Sequence, residues 1–283
     1  MAKQKREVEV VVLSDIHLGT YGCHAKELVA YLKSVSPKVL ILNGDVIDGW
    51  AFSKRYFPNS HMAVLSEFFK MMKKGTQVIY ITGNHDEFLR KYTDLSMGNL
   101  FLTDKYLLEI EGKKHWIFHG DVFDHTTSGG AKFIAKLGGM GYDWLILVNR
   151  AINWILEKFG KGKVSLSKKV KNSVKKAVKF IGDFEKKATE IAINNHYDYV
   201  ICGHIHQPAD KIWTTEKGSV HYLNSGDWIE NLSWLEFDKG NWSLKFFNEK
   251  DFEKPIIEKN DISVNMEELI HPKVFAEFAT QKV

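Results

Sequence analysis

Nine acid–base or metal-ligating side chains fall in short polar clusters along this 283-residue chain. Asp15 and His17 lie in Ser14-Asp15-Ile16-His17, and Asp45 and Asp48 in Gly44-Asp45-Val46-Ile47-Asp48. Asn84 and His85 lie in Gly83-Asn84-His85-Asp86, His119 in His119-Gly120-Asp121, and His204 and His206 in Gly203-His204-Ile205-His206. Carboxylates, one amide oxygen and several imidazoles, with no thiolate, suit Mn²⁺, Fe or Zn²⁺ better than Mg²⁺ or Ca²⁺, which prefer oxygen alone. About seven such donors exceed one tetrahedral shell, so two ions sharing a carboxylate is the natural arrangement. Each cluster alone has a plainer reading: a turn with a capping carboxylate, loop punctuation, a helix entry, or surface histidines. The order and placement of all five together set those readings aside.

The elements that must position these residues follow from periodicity. Residues 8–13, 39–42 and 77–82 read as buried strands, with helices at 24–34 and 61–73 between them. Three strand–loop–helix units predict a largely parallel sheet with helices outside it, and ligands in such sheets bind beyond the carboxyl ends of the strands. Each of the first three clusters follows such a strand. Gly44, Gly83, Gly120 and Gly203 let backbone turn sharply beside the key residues. Two strands surround a turn at Glu111-Gly112-Lys113-Lys114, and the second runs into His119. Two long helices are predicted at 131–159 and 165–195, then a strand at 199–202 and hairpin-spaced strands up to Phe247. The core therefore reads as one α/β domain of two sheets, residues 1–253, interrupted by a helical insertion at 126–195 and followed by an extension at 254–283.

These blocks resemble the five signature blocks of the calcineurin-like metallophosphoesterases, over roughly residues 8–235. The resemblance implies a β-sandwich flanked by helices (αββα) and a di-metal hydrolase site. Carried over, Asp15, His17 and His206 would hold one metal, Asn84, His119 and His204 the other, and Asp45 would bridge them. A water between two dications about 3.5–4 Å apart would then ionise near neutral pH and attack phosphorus in line. His85 would hydrogen-bond the phosphate or protonate the leaving oxygen, with Asp48 orienting its ring; a purely structural His85 is the alternative.

Gly44-Asp-Val-Ile-Asp-Gly-Trp50, the helical insertion and Asn224-Ser-Gly-Asp-Trp228 together resemble a narrower branch, the UDP-2,3-diacylglucosamine diphosphatase family of lipid A biosynthesis. That branch implies cleavage of a nucleotide-linked, diacylated sugar pyrophosphate to UMP and a lipid monophosphate, usually with manganese, beneath an insertion that shelters acyl chains. One departure is that His85 stands where the best-characterised members carry arginine.

Charge partition bears independently on the substrate. Residues 131–190 hold 14 Lys+Arg against 5 Asp+Glu, a local +9, whereas the remainder holds 25 against 30, a net −5. A basic excursion selects an anionic pyrophosphate or an acidic membrane surface. Trp144, Leu145, Ile146, Leu147, Ile152, Trp154, Ile155, Leu156 and Phe159 make the first insertion helix amphipathic, which suits acyl or membrane contact as well as helix–helix core. Ser167, Lys171 and Lys175 fall on one face of the second helix, with Asn172 beside them. These four, with Asp121, Lys54 and Arg55, are the candidate substrate contacts; surface charge is the competing reading for the last two.

Composition sets the outer bounds. At 44% apolar and 26% charged residues the chain is an ordinary core-forming one. Cys23 and Cys202 are too few for a disulfide framework or a thiolate zinc site. Its most apolar stretch, residues 142–159, is broken by Asn149, Arg150 and Asn153. The expectation is a cytoplasmic enzyme, in peripheral contact with the inner membrane surface at most. Nucleic acid is disfavoured as a partner because the aromatics sit at amphipathic spacing. The same chemistry on another phosphoester, and a non-catalytic scaffold, are the competing functions.

Overall fold

The computed structural model describes residues 5–50, 56–124 and 167–252. β1 (Arg6–Leu13) is apolar at consecutive positions because both its faces are covered. Val10 and Val12 enter the space between two sheets, whereas Val11 and Leu13 meet the helices. α1 (Ala25–Ser34) buries Ala25, Leu28, Val29 and Leu32, the spacing of one helical face. Each full burial of a Leu or Val side chain there stabilises by about 1.5–3 kcal/mol. β2 (Val35–Asn43), α2 (Asn59–Lys73) and β3 (Gln77–Ile81) complete this part of the chain.

β2 starts four residues earlier than its apolar run predicts, and Pro37 lies inside it. Proline is tolerated because β3 pairs with β2 only from Val39 onward. Thr76 Oγ1 donates to the Pro37 carbonyl at 2.8 Å, occupying the acceptor that no ladder bond reaches on that side.

The third strand–loop–helix unit is not formed as predicted. β3 is followed by a short 3₁₀ turn, Glu87–Tyr92, and then by a small hairpin, β4 (Ser96–Met97) and β5 (Leu100–Thr103), turning at Gly98. The 3₁₀ turn is six residues long and Thr93 leaves it in an extended conformation, so no α-helix propagates from it. β6 (Lys105–Ile110) and β7 (Lys113–Phe118) form the expected hairpin with a two-residue turn, Glu111 and Gly112, both at positive φ. Lys113 and Lys114 therefore belong to the strand rather than to the turn. α3 (Ser167–Asn194), β8 (Tyr199–Cys202), β9 (Ala209–Thr215), β10 (Gly218–Asn224), β11 (Ser233–Asp238) and β12 (Asn241–Phe246) follow.

One sheet has the order β12-β11-β1-β2-β3-β5-β4 and the other β6-β7-β8-β10-β9. The four strands β1, β2, β3 and β5 are mutually parallel, with antiparallel strands at both flanks. In the second sheet β7, β8 and β10 run parallel. Val12, Ile41, Ile79 and Leu235 from the first sheet meet Ile117, Ile201 and Leu223 from the second. α1 and α2 cover the outer face of the first sheet. Phe184, Ala188 and Ala192 of α3 cover that of the second. The layers are thus helix, sheet, sheet, helix, the αββα architecture expected from the sequence. The first insertion helix and the C-terminal extension lie outside the described residues. Among the described residues no helix is long and apolar enough to cross a membrane.

His61, buried on α2, anchors the loop after β1. The Gly19 N–H donates to its Nδ1 at 2.9 Å, which requires that nitrogen to be unprotonated. Burial pushes the ring down to about 4. The unfolded chain takes up this proton near pH 6.5 and the folded one only near 4. Stability from this site is therefore complete above about pH 6.5 and declines as pH falls toward 4, by roughly 3 kcal/mol in all. Urea midpoints at pH 7 and pH 4.5 should diverge more in the wild type than in His61→Gln. Equal divergence in the two proteins would rule this out.

Candidate metal centre

Parallel pairing carries the ends of β1, β2 and β3 to one edge of the first sheet, and those of β7 and β8 to one edge of the second. The loops that follow are tied by backbone. Asp15 N–H donates to Gly44 O at 3.1 Å, His17 N–H to Asp45 O at 2.9 Å, and Gly203 N–H to His119 O at 3.0 Å. His204 N–H donates to Asp15 Oδ2 at 3.0 Å, which joins the two sheets at this point. Asp86 adds a hub: its carboxylate accepts the Val46 N–H at 3.0 Å and the Tyr80 hydroxyl at 2.7 Å, and also the Gly83 N–H.

Five of the converging residues, Asp15, His17, Asp45, His204 and His206, have φ between 50° and 68°. This region disfavours residues with a Cβ, and concentrated strain of this kind marks a site where side-chain direction is worth its cost. Close approach is extreme at two glycines. A Cβ on Gly44 would lie 2.7 Å from His119 Cβ, and one on Gly83 would lie 2.6 Å from the Asp45 amide nitrogen. Gly83→Ala is accordingly expected to cost about 1–3 kcal/mol and to displace the Asp45 carboxylate. Thermal unfolding of the chelated protein together with Mn²⁺ calorimetry checks this. Wild-type stability with wild-type binding is the outcome that contradicts it.

Donor atoms converge in three groups: Asp15, His17 and His206; Asp45, His119 and His204; and His17, Asp48 and His85. Asp45 connects the first two. Its Oδ2 is 3.2 Å from His119 Nε2 and 3.9 Å from His17 Nε2, while its Oδ1 accepts the His85 N–H at 2.8 Å. Asn84, next to His85 in the loop after β3, has an Oδ1 that is buried and has no hydrogen-bond partner among the described residues. Asp15 Oδ1, His17 Nε2 and His119 Nε2 are buried without such a partner in the same way. Buried polar atoms left unpaired are costly, and four together are what a cation-binding cradle requires.

The electrostatics agree. Burial opposes charge on Asp45, but His119, His17 and His85 hold its carboxyl well below the usual range. Burial likewise opposes charge on His206, yet Asp15 and Asp227 push it up to about 10. His119 is raised well above its ordinary value by Asp45 and Asp15 despite complete burial. A cluster that holds protons this strongly holds positive charge in general, and a divalent cation supplies it more compactly.

Each remote imidazole nitrogen has a partner, the arrangement that orients metal-binding histidines. His119 Nδ1 is 2.9 Å from Asn43 O, His17 Nδ1 3.4 Å from Asp48 Oδ2, and His206 Nδ1 3.4 Å from Asp227 Oδ2. His204 Nε2 is 2.9 Å from Asp124 Oδ1. His85 stands apart from the two principal groups. Its Nδ1 is 3.0 Å from Asp48 Oδ2, the Trp50 ring lies over it at 4.1 Å, and His17 packs edge-on at 4.5 Å.

The seven sequence-proposed ligands, Asp48 and His85 are thus brought together. Asp121 is buried and paired with Arg90 of the 3₁₀ turn, and its charge also acts on His119. Lys54 and Arg55 lie outside the described residues. Ser167, Lys171, Asn172 and Lys175 are on α3, but their side chains are outside what the structure describes. Sequence reasoning does not find Asp124, Asp227, Asp86 or Arg90. Asp227 carries a signal, since it belongs to Asn224-Ser-Gly-Asp-Trp228. Its Oδ1 accepts the N–H groups of Ile229, Glu230 and Asn231, leaving Oδ2 for His206.

A two-sheet sandwich with clustered carboxylate, imidazole and amide donors where its parallel strands end is the architecture of a metal-dependent phosphoesterase. The family model for calcineurin-like phosphoesterases matches residues 8–208, and the chain belongs to that family. Its members are hydrolases of phosphoester bonds that use divalent metals. Among curated proteins, the chain is similar to a UDP-2,3-diacylglucosamine hydrolase of Aliivibrio fischeri, at 23% identity over 83% of this chain and 97% of that one. It is similar to another of that name from Blochmanniella pennsylvanica, at 24% identity over 84% and 96%. Among solved structures, a phosphoesterase from E. coli aligns with a TM-score of 0.38 at 15% identity, over 84% of this chain and 99% of that one.

Proposed function

We propose that this protein is a two-metal phosphohydrolase that cleaves the pyrophosphate of UDP-2,3-diacylglucosamine, or of a similar amphiphilic nucleotide diphosphate, to UMP and a lipid monophosphate. Asp15, His17 and His206 would hold one ion, Asn84, His119 and His204 the other, and Asp45 would serve both. The observation that carries this reading is the Asp45 carboxylate, whose Oδ2 lies between His17 and His119 with buried, unpartnered donors on either side. Mixed nitrogen and oxygen donors suit Mn²⁺, Fe or Zn²⁺, and Mn²⁺ is proposed first because the diphosphatase family that the chain resembles usually takes it. When bound, the two ions supply Lewis acidity toward the phosphoryl oxygens and a nucleophile at neutral pH.

The chain's own residues supply the rest. His85 is held by Asp48 through Nδ1, so its other nitrogen serves the phosphate or the departing oxygen. The amide of His85 fixes Asp45, so the acid–base group and the shared carboxylate move as one unit. Lys54, Arg55, Ser167, Lys171, Asn172 and Lys175 are proposed to reach the substrate's phosphate or sugar. The basic character of residues 131–190 supports an anionic substrate, and the spacing of the apolar residues between Trp144 and Phe159 in the sequence supports acyl chains or contact with the inner membrane surface. The names of the similar curated proteins support the lipid nucleotide in particular.

The test is a phosphorus-NMR product assay on UDP-diacylglucosamine and on simpler diphosphates and phosphodiesters, with and without Mn²⁺. Equimolar UMP and lipid monophosphate, dependent on metal, is the expected result. His85 in place of arginine favours a second reading, the same chemistry on another phosphoester. Hydrolysis of simple diesters with no cleavage of the UDP-lipid would establish it.

A further inference from the structure

We propose that Asp124 is a positioning residue that selects the tautomer of His204 and so decides which of its nitrogens meets the cation. The proposal rests on the two-metal reading above. Asp124 Oδ1 is 2.9 Å from His204 Nε2. An ionised carboxylate only accepts hydrogen bonds, and a neutral imidazole carries a single N–H. That N–H is therefore on Nε2, and the lone pair that can ligate is on Nδ1. His17, His119 and His206 are oriented the other way, with Nδ1 on Asp48, Asn43 or Asp227 and Nε2 left toward the donor groups. His204 is the inverted member of the set, and Asp124 is what inverts it.

The ring has little freedom to change this by rotation. His119 packs against it at 5.2 Å with the planes near perpendicular, and Phe184 of α3 lies on it at 6.2 Å. Asp124 is itself held. It closes the 3₁₀ turn Asp121–Phe123, its N–H donating to Asp121 O at 3.0 Å. Within that turn Asp121 is fixed by Arg90, and Phe123 packs on Phe118 and Phe184 at about 5.5 Å. Each side of the turn is pinned, which places the Asp124 carboxylate on His204. A histidine outside this contact would populate both tautomers, and the fraction with the wrong one would bind no cation at Nδ1.

The experiment pairs Mn²⁺ calorimetry with long-range ¹H–¹⁵N NMR of the metal-free full chain, in wild type, Asp124→Ala and Asp124→Asn. Wild type should show two Mn²⁺ sites and His204 as the pure Nε2–H tautomer. In Asp124→Ala one site should weaken about 10–100-fold while the other holds, and the His204 signals should move toward a tautomer mixture. Asparagine, whose amide oxygen still accepts from Nε2–H, should recover most of the loss. An unchanged His204 tautomer in Asp124→Ala overturns the proposal. So does equal weakening of both sites together with a fall in Tm, which marks a merely structural residue. Fewer than two sites in the wild type would overturn the two-metal reading instead, and the tautomer signal would still decide the role of Asp124.

Discussion

Asp45→Asn is expected to lose turnover by about 10³-fold or more and to bind neither ion tightly. The substitution is isosteric, so the acceptor for the His85 N–H survives at Oδ1, and the loop after β3 keeps its anchor. What goes is the charge at Oδ2, the atom that lies between His17 Nε2 and His119 Nε2. With an amide there, the buried donors of Asp15, His17, Asn84 and His119 still converge, but no shared anion joins the two groups. Removing this charge forfeits its attraction to His119, His17 and His85 but relieves repulsion with Asp15 and Asp86, so the two effects offset. The chelated variant should therefore melt close to the wild type while the Mn²⁺-loaded wild type melts well above both. Stoichiometry by calorimetry and the metal-dependent shift in Tm are the measurements. Two tightly bound ions in Asp45→Asn would sink the bridging role, whatever the activity.

The second large effect is expected at His85. Its replacement by alanine should lower kcat by roughly 10²–10⁴-fold and leave metal stoichiometry intact, because Asp48 still accepts from His17. Burial works against a charged His85, but Asp48 and Asp45 raise its pKa above the ordinary histidine value, so the proton is kept further into the alkaline range. Turnover that uses this proton falls on the alkaline side of the profile. Asp48→Asn should move that limb to lower pH, and His85→Ala should remove it. An activated leaving group needs no proton, so the deficit of His85→Ala should shrink on a p-nitrophenyl ester. Equal deficits on both substrates would show that the ring holds the phosphate and does not protonate the leaving oxygen.

Much of this site is legible in the amino-acid sequence alone. Asp45, Asn84, His119 and His204 each sit beside a glycine, Asp15 follows an apolar run, and His17 and His206 lie two residues beyond Asp15 and His204, all of them local signals. The parallel order of β1, β2 and β3 follows from the helices between them. What local signals misplace is equally specific. A third strand–loop–helix unit is read from the sequence after residues 77–82, where the chain instead makes the 3₁₀ turn Glu87–Tyr92. Nor does the sequence around His119-Gly120-Asp121 show that Arg90, 31 positions away, pairs with the Asp121 carboxylate.

Residue types, their order and their glycine spacing are properties of contiguous chain, and they are enough to establish donor chemistry, fold class and family. Orientation is not such a property. The nitrogen that each histidine presents is set by a partner delivered from another loop: Asp48 to His17 across 31 positions, Asn43 to His119 across 76, Asp124 to His204 across 80. The first and third pairings join loops of neighbouring strands within one sheet, and the second joins the two sheets, so all three exist only once strands distant in sequence have paired and packed. Contiguous chain therefore dictates which atoms could bind a cation. The tertiary meeting of loops, within each sheet and between the two, dictates which lone pairs face it, because an imidazole's tautomer follows the hydrogen bond made at its far nitrogen.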